Sequence, residues 1–181
     1  MTAREASRRV VHLALGAGAW LLPVLGWEVV AGLSAFGCLF NLLLLHRLPF
    51  TRGLVREDGA GRIGLILYPV VVLTLVLVFR DQHAPIQAGW LALAVGDGLA
   101  PVFGVFLTRP RWPWNPSKTV PATVVAFAVA AALLSTLTDA TVAFSAMGIG
   151  ALSESLPGPV DDNLTVPVVA AVAAFLIGVA A

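Results

Sequence analysis

The feature that most constrains this chain is the length of its uncharged apolar runs. They fall at about residues 10–25, 28–45, 63–79, 85–107, 120–137, 140–153 and 164–181, each separated from the next by glycine, proline or charge. Roughly 20 predominantly apolar residues suffice for a helix to cross the hydrocarbon core of a bilayer. A soluble domain carries about 25% charged residues, whereas here charged residues are 12% and hydrophobic residues 59%, with a mean hydropathy of +0.92. These runs predict an all-α fold, a polytopic integral membrane helical bundle of about six or seven transmembrane segments. One membrane-embedded domain over residues 1–181 is expected, with no linker or internal repeat. The stretch 140–153 is short for a span and reads as a half-helix, a re-entrant segment or a piece joined to the next run.

Charge sets the orientation. With the N-terminus in the cytoplasm and all seven runs spanning, the inner side receives Arg4, Arg8, Arg9, Arg47, Arg52, Arg56, Arg62, Arg109, Arg111 and Lys118. The outer side receives only Arg80, which is a strong positive-inside pattern. The polar loops 46–62, 108–119 and 154–163 then share the cytoplasmic face with the N-terminal tail. The basic start and the apolar run after it mimic a signal peptide, but no small-residue cleavage site leads into a polar mature region. A net charge of +1 gives no reason to expect nucleic acid. Cys38 is the single cysteine and lies mid-run, so disulfides and thiolate metal sites are excluded and a small buried apolar role is expected.

Within this frame the chemistry-bearing residues cluster. Asp97 lies inside an apolar run between Gly96 and Gly98. An ionisable group there is expensive and by default functional, while the glycines permit local unwinding or close approach. The alternative is a helix-packing polar residue. The loop RPRWPWNPSKT at 109–119 gathers Arg109, Arg111 and Lys118 with Asn115, Ser117 and Thr119. Lys118 is expected to begin the next helix, where cation, hydroxyls and helix dipole together favour phosphate; an ordinary interfacial aromatic belt explains the loop equally well. The loop ESLPGPVDDN brings Glu154, Asp161 and Asp162 beside Asn163. Hard cations such as Mg²⁺ take carboxylates together with substrate phosphates, whereas a solvated turn is the bland reading. Arg8, Arg9 and His12 could reach phosphate or lipid headgroups, or simply anchor the chain on the inner side. His12, His46 and His83 are too scattered for a zinc site, and no HExxH or Ser-His-Asp arrangement is present.

Four stretches, in order and over nearly the whole chain, resemble one family. They are E-x-x-R-R-x-x-H at Glu5 to His12, GDGLA at 96–100, P-W-N-x-x-K-T at 113–119 and ESLP…DDNLTVP at 154–167, with a weaker match in G-x-I-x-L-x-L-Y-P at 61–69. The sequence is thereby similar to the CTP-dependent isoprenoid-alcohol kinases (phytol, farnesol and dolichol kinases), which are related to the phosphatidate cytidylyltransferases. The resemblance implies Mg²⁺-dependent transfer of a phosphoryl group from CTP to an isoprenoid alcohol in the membrane. It implies catalytic roles for Asp97, Lys118 and Asp162, and a metal held by Asp97, Glu154, Asp161 and Asp162. Nucleotide and phosphate would be held by Arg9, Arg111, Asn115, Lys118, Thr119 and Asn163, with Arg8 and His12 at the lipid interface. A homo-oligomer is allowed. The sequence departs from the family pattern at Pro101, where a second acid is usual, at Val105 and Phe106, where basic residues are frequent, and at Thr119 and Ala122, where serine and glycine are usual.

Two other functions fit parts of this pattern. A cytidylyltransferase would use the same acids and CTP, yet the last loop reads PGPVDDN and lacks that family's histidine- and arginine-containing signature. A transporter would use Asp97 as an ion site, but needs polar residues along both halves of its path, and here they crowd at one face.

Overall fold

The computed structural model describes the backbone of residues 3–43 and 60–180, and side chains within 9–43 and 65–180. The expectations placed on the Arg8 side chain and on most of the inside loop 46–62 fall outside the described residues. The chain runs as helices α1 (Ala3–Gly16), α2 (Gly18–Leu25), α3 (Trp27–Leu43), α4 (Ala60–Phe79) and α5 (His83–Leu91). α5 passes through a π-helical stretch, Ala92–Asp97, into α6 (Gly98–Phe106). Next come a hairpin of β1 (Arg111–Trp112) and β2 (Asn115–Thr119), then α7 (Val120–Leu134), α8 (Ala140–Ser155) and α9 (Asp162–Ala180).

The chain is mostly helical, as expected, and the short hairpin is an addition the runs do not show. Pro110, Pro113 and Pro116 remove backbone donors from this segment and bar a helix through it. The two strands pair antiparallel, Arg111 with Thr119 and Trp112 with Asn115, with an irregular register between them. Lys118 therefore lies on β2 rather than opening a helix. The helix begins two residues later, where Pro121 occupies a first-turn position that needs no backbone donor. The hairpin is fastened by its aromatics: Trp112 and Trp114 stack at 5.2 Å, and Trp114 Nε1 donates to Ser155 Oγ on α8 at 3.2 Å.

The centre of the molecule is the continuous rod formed by α5, the π stretch and α6. Residues Pro85 to Gly96 are buried, packed by α9, α7, α4, α2 and α1. Close approach depends on small residues at the contacts, among them Ala88, Ala92, Ala94, Ala126, Ala130, Ala146, Ala170 and Ala171. The buried Gln87 is satisfied by donating from Nε2 to the Ala19 carbonyl at 3.0 Å. Gly89 is a very tight crossing. A Cβ there would lie 2.5 Å from Leu75 Cδ1, 2.8 Å from the Pro167 carbonyl and 3.1 Å from Ala171 Cβ. Gly89→Ala is accordingly expected to cost about 1–3 kcal/mol through overpacking, seen as a lower thermal midpoint in detergent. An unchanged midpoint would show that α5 and α9 can separate freely.

Two helical stretches, His83–Phe106 and Asp162–Ala180, are long and apolar enough to cross a membrane. Four further apolar stretches among the described residues run 10–17 residues: Arg9–Leu25, Trp27–Leu43, Val120–Leu134 and Leu65–Phe79, the last being the part of α4 whose side chains are described. By this measure two of the expected runs, 85–107 and 164–181, meet the length and hydropathy of a span among the described residues. The stretch 140–153 forms one uninterrupted helix, α8, side by side with α7 and α9. It is capped by Asp139, whose Oδ1 accepts from Thr141 N at 2.7 Å. Large apolar side chains stand exposed on the outer helix faces, for example Val24, Phe36, Val78, Phe106 and Val179.

Candidate functional site

The polar residues meet where β2, the end of α8 and the start of α9 converge on the π stretch. Helix α8 carries Glu154 in its last turn, and Leu156 to Asp161 form the connection to α9. Pro157, Gly158 and Pro159 stop the chain continuing as helix there. Asp162 is the first residue of α9. Lys118 reaches in from β2 and meets three oxygens. Its Nζ lies 2.7 Å from Glu154 Oε1, 2.6 Å from the Glu154 carbonyl and 2.6 Å from Asp162 Oδ2.

The Glu154 side chain is only 4% exposed, against 21% for Lys118 and 35% for Asp162. Burial alone would push the Lys118 ammonium down. Glu154 and Asp162 outweigh that and hold it above the ordinary lysine range. Lys118 thus stays cationic through neutral and mildly alkaline pH.

Beside Lys118 lies a polar cavity of about 580 Å³. Asp97, Asn115, Ser117, Asp161, Asp162 and Asn163 line it, together with the Pro157–Val160 loop. Asp97 arrives as the last residue of the π stretch. Such stretches interrupt the regular helical ladder and concentrate at functional sites. Asp161 is tied into the loop, its Oδ1 accepting from Asn163 N at 2.9 Å and from Asn163 Nδ2 at 2.6 Å. Ser117 Oγ donates to Asn115 Oδ1.

A second cavity of about 460 Å³ lies on the other side of Lys118, between α6 and the start of α7. Glu154, Thr119 and Arg111 line it, and Ser117 and Lys118 belong to both cavities.

Of the residues singled out from sequence, Asp97, Asn115, Lys118, Asp161, Asp162 and Asn163 therefore share one cavity. Glu154, Thr119 and Arg111 stand across Lys118 from it. Arg9 and His12 pack against the rod that carries Asp97. Arg9 Nη1 donates to the Gly98 carbonyl at 3.2 Å, and His12 Nε2 lies 3.0 Å from the Leu93 carbonyl. The His12 ring also meets Tyr68 edge-on at 4.6 Å. Both side chains brace the rod close to Asp97. Sequence reasoning leaves two contributors out of the site. Ser117 is visible there only as one more hydroxyl, and the Trp114–Ser155 clamp joins residues 41 apart.

Among the described residues no three acidic or histidine side chains converge as a metal cage. Glu154 and Asp162 are turned onto Lys118 and Asp161 onto Asn163, which departs from the expected four-carboxylate set. The donors do fit a Mg²⁺ ion brought in on a polyphosphate, which needs only one or two protein carboxylates. Asp97 with Asp162 or Asp161 could supply them.

Comparison with known proteins finds a relative. The chain is similar to phytol kinase 1, chloroplastic, of Arabidopsis thaliana, 30% identical over 207 aligned positions. The match covers 94% of this chain and 66% of that protein, so the chain spans just under two thirds of its relative's length. No protein-family model matches the chain, and no solved structure matches it. Similarity over most of the chain supports a phytol kinase-like family.

Proposed function

We propose that this chain is an integral-membrane lipid kinase of the phytol kinase type, transferring the γ-phosphoryl group of CTP to the hydroxyl of an isoprenoid alcohol. The observation that carries the reading is Lys118, held by two acids at the wall between a carboxylate-lined cavity and a second, more apolar one. Phosphoryl transfer asks a protein mainly for positioning and charge neutralisation, and this arrangement offers both.

The polar cavity takes the triphosphate. Lys118 already meets three oxygens, so an incoming phosphate takes the place of one of them. Asp162, the more exposed partner, is the one to yield. The exchange gives Lys118 to phosphate and frees Asp162 to join Asp97 toward a metal carried by the nucleotide. That ion would neutralise charge across the β- and γ-oxygens. The alcohol oxygen then bonds to the γ-phosphorus as the bond to the β–γ bridging oxygen breaks. CDP leaves with the electron pair, and the hydroxyl proton passes to the surrounding carboxylates. Arg111, at the exposed edge of the second cavity, neutralises the new phosphate ester.

The orientation we propose puts the N-terminus and the site on the cytoplasmic face, supported by the clustering of ten of the eleven basic residues on that side.

Membranes containing the protein are to be incubated with Mg²⁺, γ-labelled CTP and, in turn, phytol, geranylgeraniol, farnesol and a long polyprenol. Label in a lipid monophosphate is the expected result, and the best alcohol defines the substrate. Label released as pyrophosphate with formation of a CDP-lipid would replace the kinase by a cytidylyltransferase. No transfer from any nucleoside triphosphate, with the protein folded, would overturn the enzyme reading.

A further inference from the structure

The second cavity has a chemical character of its own. Its floor is apolar and made of small residues: Pro101 and Gly104 on α6 and Ala122 on α7. These include two of the positions at which the sequence departs from its family's pattern. The wall facing that floor is polar. Glu154 Oε2 and Thr119 Oγ1 are both buried, and neither has a hydrogen-bond partner. A buried polar atom without a partner is costly and calls for a missing one. A carboxylate oxygen accepts, and a threonine hydroxyl both donates and accepts. An aliphatic alcohol supplies their complement: one O–H to donate, lone pairs to accept, and a hydrocarbon chain for the floor. A triphosphate has no hydrogen to donate to Glu154 Oε2 and no hydrocarbon for the floor. Lys118 and Ser117 border both cavities, so a hydroxyl held at Glu154 and a phosphate held at Lys118 would be neighbours.

We infer that the cavity between α6 and the start of α7 is the acceptor subsite, holding the hydroxyl end of an aliphatic alcohol at Glu154 and Thr119 with its first carbons against Pro101, Gly104 and Ala122. The assignment rests on the kinase reading for its role in turnover. It moves Glu154 from the metal shell to the acceptor. Its Oε1 stays with Lys118, and its Oε2 receives the hydroxyl hydrogen and so orients the oxygen. Apolar Pro101 and Val105, at positions where charge is usual, then dry the acceptor pocket rather than marking a lost site.

Gly104 is the place to test it. A Cβ there would meet only Ala122 Cβ, at 4.0 Å, so a larger side chain can grow into the cavity without moving backbone. Gly104→Leu, and Ala122→Val as a second plug, are expected to raise the alcohol KM by roughly tenfold or more and leave the CTP KM within about twofold. Equal rises in both constants, or a rise for CTP alone, would overturn the assignment.

A photoreactive diazirine-bearing alkyl alcohol separates this inference from the activity. Adducts on residues 101–105 and 119–123, competed by unlabelled alcohol and lost in Gly104→Leu, support the subsite even if no turnover is found. In that case the kinase reading fails and the subsite stands. Turnover with adducts confined to other helices removes the subsite and leaves the kinase.

Discussion

Lys118→Ala is expected to lower kcat/KM for the nucleotide by roughly 10²–10³-fold, the scale seen when one preorganised charge-stabilising donor is lost. It should also weaken the fold, because the lysine ties β2 to the end of α8 and the start of α9. Removing one partner of a buried pair leaves the other charge uncompensated. Glu154 is the buried partner, and the penalty should be on the order of 3 kcal/mol. The two effects separate in a double variant. Adding Glu154→Gln neutralises the stranded carboxylate and should restore much of the thermal midpoint in detergent. Turnover should not return, since no cation has been put back. Arginine is no substitute, because its planar fork cannot reproduce three converging contacts at one nitrogen. Transfer within tenfold of the unaltered protein by Lys118→Ala, measured with γ-labelled CTP, would remove Lys118 from the phosphate site.

Asp97→Asn is expected to have the second large effect, a loss in kcat of about 10³-fold with little change in thermal midpoint. The amide matches the carboxylate in shape, so the rod and its packing are kept while the charge is lost. The apparent requirement for Mg²⁺ should rise in parallel, because one of the few carboxylates open to the polar cavity is gone. Near-normal turnover would make Asp97 a packing residue. Reduced turnover with an unchanged Mg²⁺ requirement would keep it in the site and take it off the metal.

Much of the site is legible in the chain because its residues contradict their surroundings. Asp97 is an acid in an apolar run, and Asp161, Asp162 and Asn163 are a polar knot before another. The structure brings these to one cavity with Lys118. The contacts that stay hidden depend on long-range packing. The partners of Arg9 and His12, Gly98 and Leu93, lie 89 and 81 residues away. Nothing local signals that α1 folds against the rod. The hairpin is hidden for another reason: its strands are short and interrupted by proline, so no two-residue alternation shows. Its three prolines bar a helix running through the segment, but only the pairing of β1 with β2 moves Lys118 off the start of α7. The helical runs are legible in order, although the first of them, 10–25, divides between α1 and α2.

The π stretch at Ala92–Asp97 sets an angular register. An α-helix advances about 100° and 1.5 Å per residue, and a π turn accommodates one residue more than its α counterpart. Were the same residues wound as continuous α-helix, everything beyond the stretch would be rotated by about 100° relative to α5, carrying Asp97 off the polar cavity and Gly104 off the second one together. The phase between the buried half of the rod and its working half is thus held by one surplus residue that the wide turn absorbs.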